Sequence, residues 1–219
     1  MHASQAIAAN RLCRGCVTAI LLVLAHNVSH SDPGSGTAPE FGAEPTTEPA
    51  KLPGIRHIDL QKKSVDLDAE VVLREADWLE QLACLPSTRE HESILVVHAK
   101  PSHIHLALLA LGLQPGSPMQ WQWHDDQVTV HPPNGAPVAV SIVMQRDGRE
   151  AKIPANQWVL HQVTKQPLPD NIWLFAGSRL TASGNDDKPV YHADVNGTTI
   201  SLVNFGDDLL ARPTELTNK

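Results

Sequence analysis

Cysteine is scarce in this chain: three in 219 residues, two of them, Cys13 and Cys16, in a stretch that reads as removable. Cys84 alone remains. One cysteine forms no internal disulfide, holds no iron–sulfur cluster and supplies no zinc quartet, and no cofactor is expected. No apolar run approaches the ~20 residues of a membrane-spanning helix. Basic residues are fewer than acidic ones, 17 against 24. Removing Arg11 and Arg14 with a leader that holds no acid leaves 15 against 24, a net of −9. Such a balance is a poor electrostatic match for nucleic acid or an anionic membrane surface. The chain also has no G-x-S-x-G, phosphate loop, dinucleotide fingerprint or H-E-x-x-H, so the common catalytic signatures are missing.

What is present begins with an address. Arg11 and Arg14 precede an apolar stretch over residues 16–25. This is a signal-peptide core behind a positive flank, too short to span a bilayer as a helix. Ser29-His30-Ser31 offers a small-x-small cleavage point and Ala25 an earlier one. The expectation is an exported protein, periplasmic or extracellular, with no integral span once residues 1–31 are cleaved and an N-terminal anchor if they are not. The C-x-x-C of Cys13 and Cys16 precedes that core, so it carries no thioredoxin-like expectation, and no cysteine follows the core to take a lipid. Residues 32–53 hold Pro33, Pro39, Pro45, Pro49 and Pro53 among Gly, Thr, Glu and Ala. They read as a disordered linker, because so little apolar surface does not offset the entropy of ordering.

From residue 54 to 213 the pattern is that of one domain, with 214–219 as a tail. Short β-prone runs at 55–60, 64–67 and 70–73 suggest an antiparallel meander. Residues 77–84 have helical spacing, with Trp78, Leu82 and Leu85 on one side and Pro86 as terminator. Residues 94–97 form a continuous apolar run, as in a strand buried on both faces. Ser102 is placed to cap a second helix from His103 to Leu111, ended by Gly112, and apolar nearly all round beyond His105, hence sandwiched. Val138, Val140, Ile142 and Met144 alternate along a strand, and Asp147-Gly148 reads as a hairpin turn into Glu150-Ala151-Lys152-Ile153. Residues 173–176 form another strand. Residues 190–194 and 199–203 read as strands joined by an Asn196-Gly197 hairpin. The expected class is α+β, a mainly antiparallel sheet with two main helices in a single domain.

Three stretches are characteristic together. They are Ala83-Cys84-Leu85 through Thr88-Arg89-Glu90-His91-Glu92-Ser93, Ala99-Lys100-Pro101-Ser102-His103-Ile104-His105 through Pro115-Gly116, and Trp173-Leu174-Phe175-Ala176-Gly177-Ser178 followed by Asn204-Phe205. The chain resembles the YdjY-type domain of exported bacterial proteins, notably of planctomycetes. That resemblance brings no biochemical activity with it. Some relatives look like electron-transfer proteins through ferredoxin-like cysteine clusters, and this chain has no such cluster.

Two segments carry candidate chemistry. In the first, Glu90 or Glu92 can serve as a general base, His91 as acid, base or ligand, and Arg89 as an anion clamp. Ser87 with Glu90 equally matches a capping box, and Arg89 with a glutamate an ordinary ion pair. In the second, Lys100, Ser102 and the N–H groups of His103 and Ile104 form an anion-ready helix start. The helix dipole there favours neutral His103. His103 and His105 are weak metal candidates, because residues two apart on a helix lie ~200° around its axis. The intervening strand separates the two segments by ~20 Å at about 3.3 Å per residue, which argues against one composite site. Trp121-Gln122-Trp123 places two rings on one strand face, as a sugar-stacking platform or as packing onto the core. Cys84 reads as a small buried hydrophobe. Asn204 to Asp208 offers carboxylates without the spaced ligands of a calcium loop.

The expected role is an exported module that binds a ligand or partner, a small anion or an envelope component, without turnover. One rival is an envelope-associated hydrolase using Arg89, Glu90, His91 and Glu92. The other is an accessory factor of a redox or metal-handling complex.

Overall fold

Strands dominate the molecule. The computed structural model describes residues 7–8, 18–25, 52–76, 78–125, 127–146, 149–161, 164–182 and 189–213. Near the N-terminus lie β1 (Ile7–Ala8) and β2 (Thr18–Ala25). Next come β3 (Ile55–Asp59) and β4 (Ser64–Val71), an antiparallel pair whose turn is held by Asp59 accepting the N–H groups of Gln61 and Lys62. The runs at 64–67 and 70–73 thus belong largely to one strand, because β4 has neighbours along its whole length. After β5 (Glu75–Ala76), the segment expected as a helix is instead β6 (Gln81–Cys84), buried at every position. The cause is tertiary: β6 runs parallel to β7 (Ser93–Val97), itself wholly buried, and β-ladder bonds replace those of a helix turn.

The helix α1 (Pro101–Ala110) starts two residues before the expected first position, since proline is favoured at the first helical turn. Its N-cap is Lys100, with no side-chain cap, and Ser102 lies inside the helix. Pro101, Ile104, Ala107 and Leu108 are buried while Leu106 and Leu109 are exposed, so α1 rests on the sheet with one face and is not sandwiched. Then follow β8 (Pro115–Ser117), β9 (Gln120–His124), β10 (Gln127–His131), β11 (Asn134–Arg146) and β12 (Arg149–Pro154). Antiparallel pairing of β11 with β12 is as expected, and Asp147-Gly148 lies outside the described residues. So do residues 32–51 of the linker expected at 32–53, whose Leu52 packs against the core, and the tail at 214–219.

The chain continues through β13 (Trp173–Phe175), β14 (Leu180–Ala182) and β15 (Pro189–Tyr191). The expected hairpin at Asn196-Gly197 is absent. Residues after Tyr191 wind into α2 (His192–Asn196), and Gly197 closes it with φ 74° in the left-handed region. Asn-Gly suits a helix C-terminus as well as a hairpin, because both demand positive φ. A Cβ on Gly197 would stand 2.2 Å from the Thr88 hydroxyl oxygen, so glycine is required twice over. The last strands are β16 (Ile200–Ser201) and β17 (Leu210–Ala211).

The main sheet runs β12-β11-β13-β17-β16-β6-β7-β4-β2, with β3 and β8 attached, and β2 also pairs with β11. That last pairing closes the strands into a ring around one core containing Val65, Leu67, Leu95, Val140, Ile142, Trp173 and Phe175. The α+β expectation with two main helices is therefore corrected. Among the described residues the protein is mainly β, one large mixed sheet with two short α-helices, because the first expected helix is a buried strand. Among the described residues no helix is long and apolar enough to cross a membrane.

Candidate functional site

The first candidate segment forms a 3-10 turn, Glu90–Glu92, leading into β7. Arg89 reaches out of its own segment. Its guanidinium donates to Glu80 Oε2 at 2.9 Å and lies 4.3 Å from the Phe205 ring centroid. Glu90 accepts its own N–H and that of Ser87, backbone donors that hold its carboxyl below the ordinary range; Arg89 is the N-cap of the turn without a side-chain cap, so the expected Ser87–Glu90 capping box does not form. His91 is exposed, and its Nε2 lies 3.8 Å from Glu92 Oε1. Burial pushes the Glu80 carboxyl up, and the hydrogen-bonded Glu92 carboxyl beside it adds to the effect against the opposing pull of Arg89. The chemistry here is a carboxyl pair bridged to an arginine. Glu80, which sequence reasoning missed, is its centre, brought in by the bond from its N–H to the Glu92 carbonyl.

At the second segment a side chain of the molecule itself occupies the helix start. Asp194 of α2 accepts the Ser102 N–H at 2.8 Å and the Ser102 hydroxyl at 2.6 Å. The N–H groups of His103 and Ile104 donate to the Lys100 carbonyl, while the Lys100 side chain is exposed. His105 turns away towards Phe175, edge-on at 4.8 Å. Tyr191 donates its hydroxyl to the Gly177 carbonyl at 2.9 Å, so its oxygen accepts from His105 Nδ1, also at 2.9 Å. Burial holds the His105 imidazole below its ordinary pKa and pushes the Tyr191 phenol well above its own. Among the described residues no group of three His, Cys, Asp or Glu is placed to hold a metal.

The two segments meet the same short helix at different places. Asp194 of α2 reaches Ser102, and Gly197, just past its end, abuts Thr88. Arg89 and Glu92 gather instead around Glu80 and Phe205, so the candidates do not merge into one constellation.

A buried polar chain lies at the β6–β16 junction. Gln81 Nε2 donates to Ser201 Oγ at 3.1 Å, and Ser201 Oγ donates to Asp208 Oδ1 at 2.5 Å. Asp208 also accepts the N–H groups of Phe205 and Gly206. Burial dominates these bonds and pushes the Asp208 carboxyl up to about 6. Asn204 pairs in both directions with the Arg212 backbone. The Arg212 guanidinium, fully buried, donates to the Ile172 carbonyl at 2.6 Å and contacts Asp170 at 2.9 Å. The 204–208 segment is thus a loop knotted by its own carboxylate. Cys84 is buried in β6.

Every residue of the β9–β10 ribbon's two strands is exposed. Trp123 stands opposite Val128 and Trp121 opposite Val130, so the four share one face; their exposures are 73%, 40%, 42% and 47% respectively. The other face carries Gln122, Thr129, His124, Gln127, Gln120 and His131. Packing of both rings on the core, one of the two sequence readings, does not occur: Trp123 is exposed, and Trp121 lies over Gly206.

A YdjY domain model matches residues 57–217. The chain belongs to the YdjY domain family. Comparison with curated proteins and with solved structures gave no match. The YdjY match starts inside β3, so it takes in every strand of the ring except β2.

Proposed function

We propose that this YdjY protein is an exported binding module without turnover of its own, and that it engages an envelope component through the apolar face of the β9–β10 ribbon. The observation that carries the reading is the row of Trp121, Trp123, Val128 and Val130 in solvent on an otherwise amphipathic ribbon. Contiguous apolar surface of this kind marks a contact face, and tryptophan offers a large rigid ring for stacking on a sugar or a partner side chain. Export rests on Arg11, Arg14 and the apolar core at 16–25. An external anion at Lys100, Ser102, His103 and Ile104 would have to displace Asp194, which makes that position secondary. The hydrolase reading has less behind it. Arg89 is engaged by Glu80 and Phe205, Glu90 by Ser87, and His91 faces solvent.

The test is retention of purified protein on insoluble envelope glycan and on detergent-solubilised envelope proteins from the source cells. Wild type is retained on one of the two, and the Trp121→Ala/Trp123→Ala double variant is released at least tenfold more readily with an unchanged melting temperature. Equal retention of both forms refutes the ribbon as the binding face.

A further inference from the structure

The ring of strands closes through a strand that lies outside the residues matched by the family model. β2 lies between β4 and β11, antiparallel to both. Its register runs from Thr18 opposite Glu70 to Leu24 opposite Ser64 on one side, and from Ala25 opposite Val138 to Ile20 opposite Val143 on the other. The flanking core residues Val65, Leu67, Val138, Val140 and Ile142 are fully buried with β2 in place. Yet β2 coincides with the apolar stretch that the export reading takes as a leader core, and the family match begins only at residue 57.

Cleavage after Ala25 or Ser31 would leave a slot with two unpaired edges. β11 from Val138 to Met144 reads V-A-V-S-I-V-M, without a charge or proline to guard it. Edges of that kind are templates for strand addition and need a cover. We propose that the slot between β4 and β11 is an acceptor site for an extended strand of a partner polypeptide with apolar residues at alternate positions, for which Thr18–Ala25 stands in before export; the positions between, matching Ile20 and Leu22, stand opposite Asp68 and Asp66 of β4. This inference rests on the export reading above and adds a second surface to it.

The chemistry of the occupant follows from the lining. It enters antiparallel to β4 and β11, bonding its backbone to both. Positions matching Leu21 and Val23 stand opposite Leu67 with Ile142 and Val65 with Val140, so they admit apolar side chains only. A charge there would be buried without a partner.

The test uses the protein as the source cells make it. The full-length gene is expressed, the cells are fractionated, and the N-terminus is read by intact mass. The exported form is then titrated with a labelled, lysine-flanked peptide carrying residues 18–25, and with the same peptide bearing Asp at the positions of Leu21 and Val23. The expected result is an exported chain lacking residues 18–25 that binds the first peptide saturably at one per monomer and the second at least tenfold more weakly. An exported chain that keeps residues 18–25 overturns the acceptor site and leaves export standing. A processed chain that ignores the peptide, binds both alike, or fills the slot with a second copy as a dimer also overturns it. A chain retained unprocessed inside the cell removes the export reading itself, and the acceptor proposal with it.

Discussion

Asp208 shows how the environment of one residue can outweigh its own hydrogen bonds. Its carboxylate accepts from Ser201, Phe205 and Gly206, each of which favours ionisation, but burial disfavours it more and moves the pKa to about 6 from 3.8. The folded chain therefore keeps a proton that the unfolded chain has lost between those two values. Unfolding free energy falls as pH rises through that window and stays lower above it. Asp208→Asn removes the titration. Its stability relative to wild type should improve by about 2 kcal/mol between about pH 4 and about pH 7.5 in urea unfolding. An equal difference at both pH values would show that Asp208 ionises normally. Arg212 belongs to the same scale. It is a fully buried cation tied to Asp170 and the Ile172 carbonyl, and its place in the sequence near the C-terminus gave no hint of burial.

At the scale of elements, Gly197 bears on both α2 and the Thr88 turn. Alanine there meets the positive φ of 74° and the Thr88 side chain together. Gly197→Ala should cost roughly 1–3 kcal/mol in chemical denaturation, from the left-handed conformation and the displaced Thr88; a loss below a few tenths would mean that the turn relaxes freely. Elements were legible where periodicity was strong. β7, β11 and β13 follow from their apolar runs, as does the pairing of β11 with β12. The pattern failed where one spelling serves two structures. Residues 77–84 carry helical spacing but are drawn into a buried parallel pair with β7, a contact between segments that local pattern does not contain. Asn196-Gly197 fits a hairpin and a helix end equally. Ser102 was legible as a polar residue at the start of α1, whereas its partner Asp194 comes from ninety-two positions away. Glu80, the partner of Arg89, went unnoticed because it sat in the segment read as a helix.

For the whole molecule, closure is the defining feature. A mainly β protein must satisfy or cover its sheet edges, and this one does so by inserting β2 between β4 and β11. Nothing in the apolar stretch at 16–25 distinguishes a leader core from a strand buried on both faces, since both read as an unbroken apolar run. The same segment thus serves two readings, as an address and as the last strand of the ring. The ribbon of β9 and β10 lies outside that ring as a separate two-stranded sheet. It presents an apolar face outside the core. The most direct measurement of this architecture is backbone hydrogen exchange along the full-length chain. Slow exchange along both β4 and β11, comparable to that of β6 and β7, is the predicted result. Rapid exchange along the facing edges of β4 and β11, with β6 and β7 still protected, would contradict closure of the ring by Thr18–Ala25.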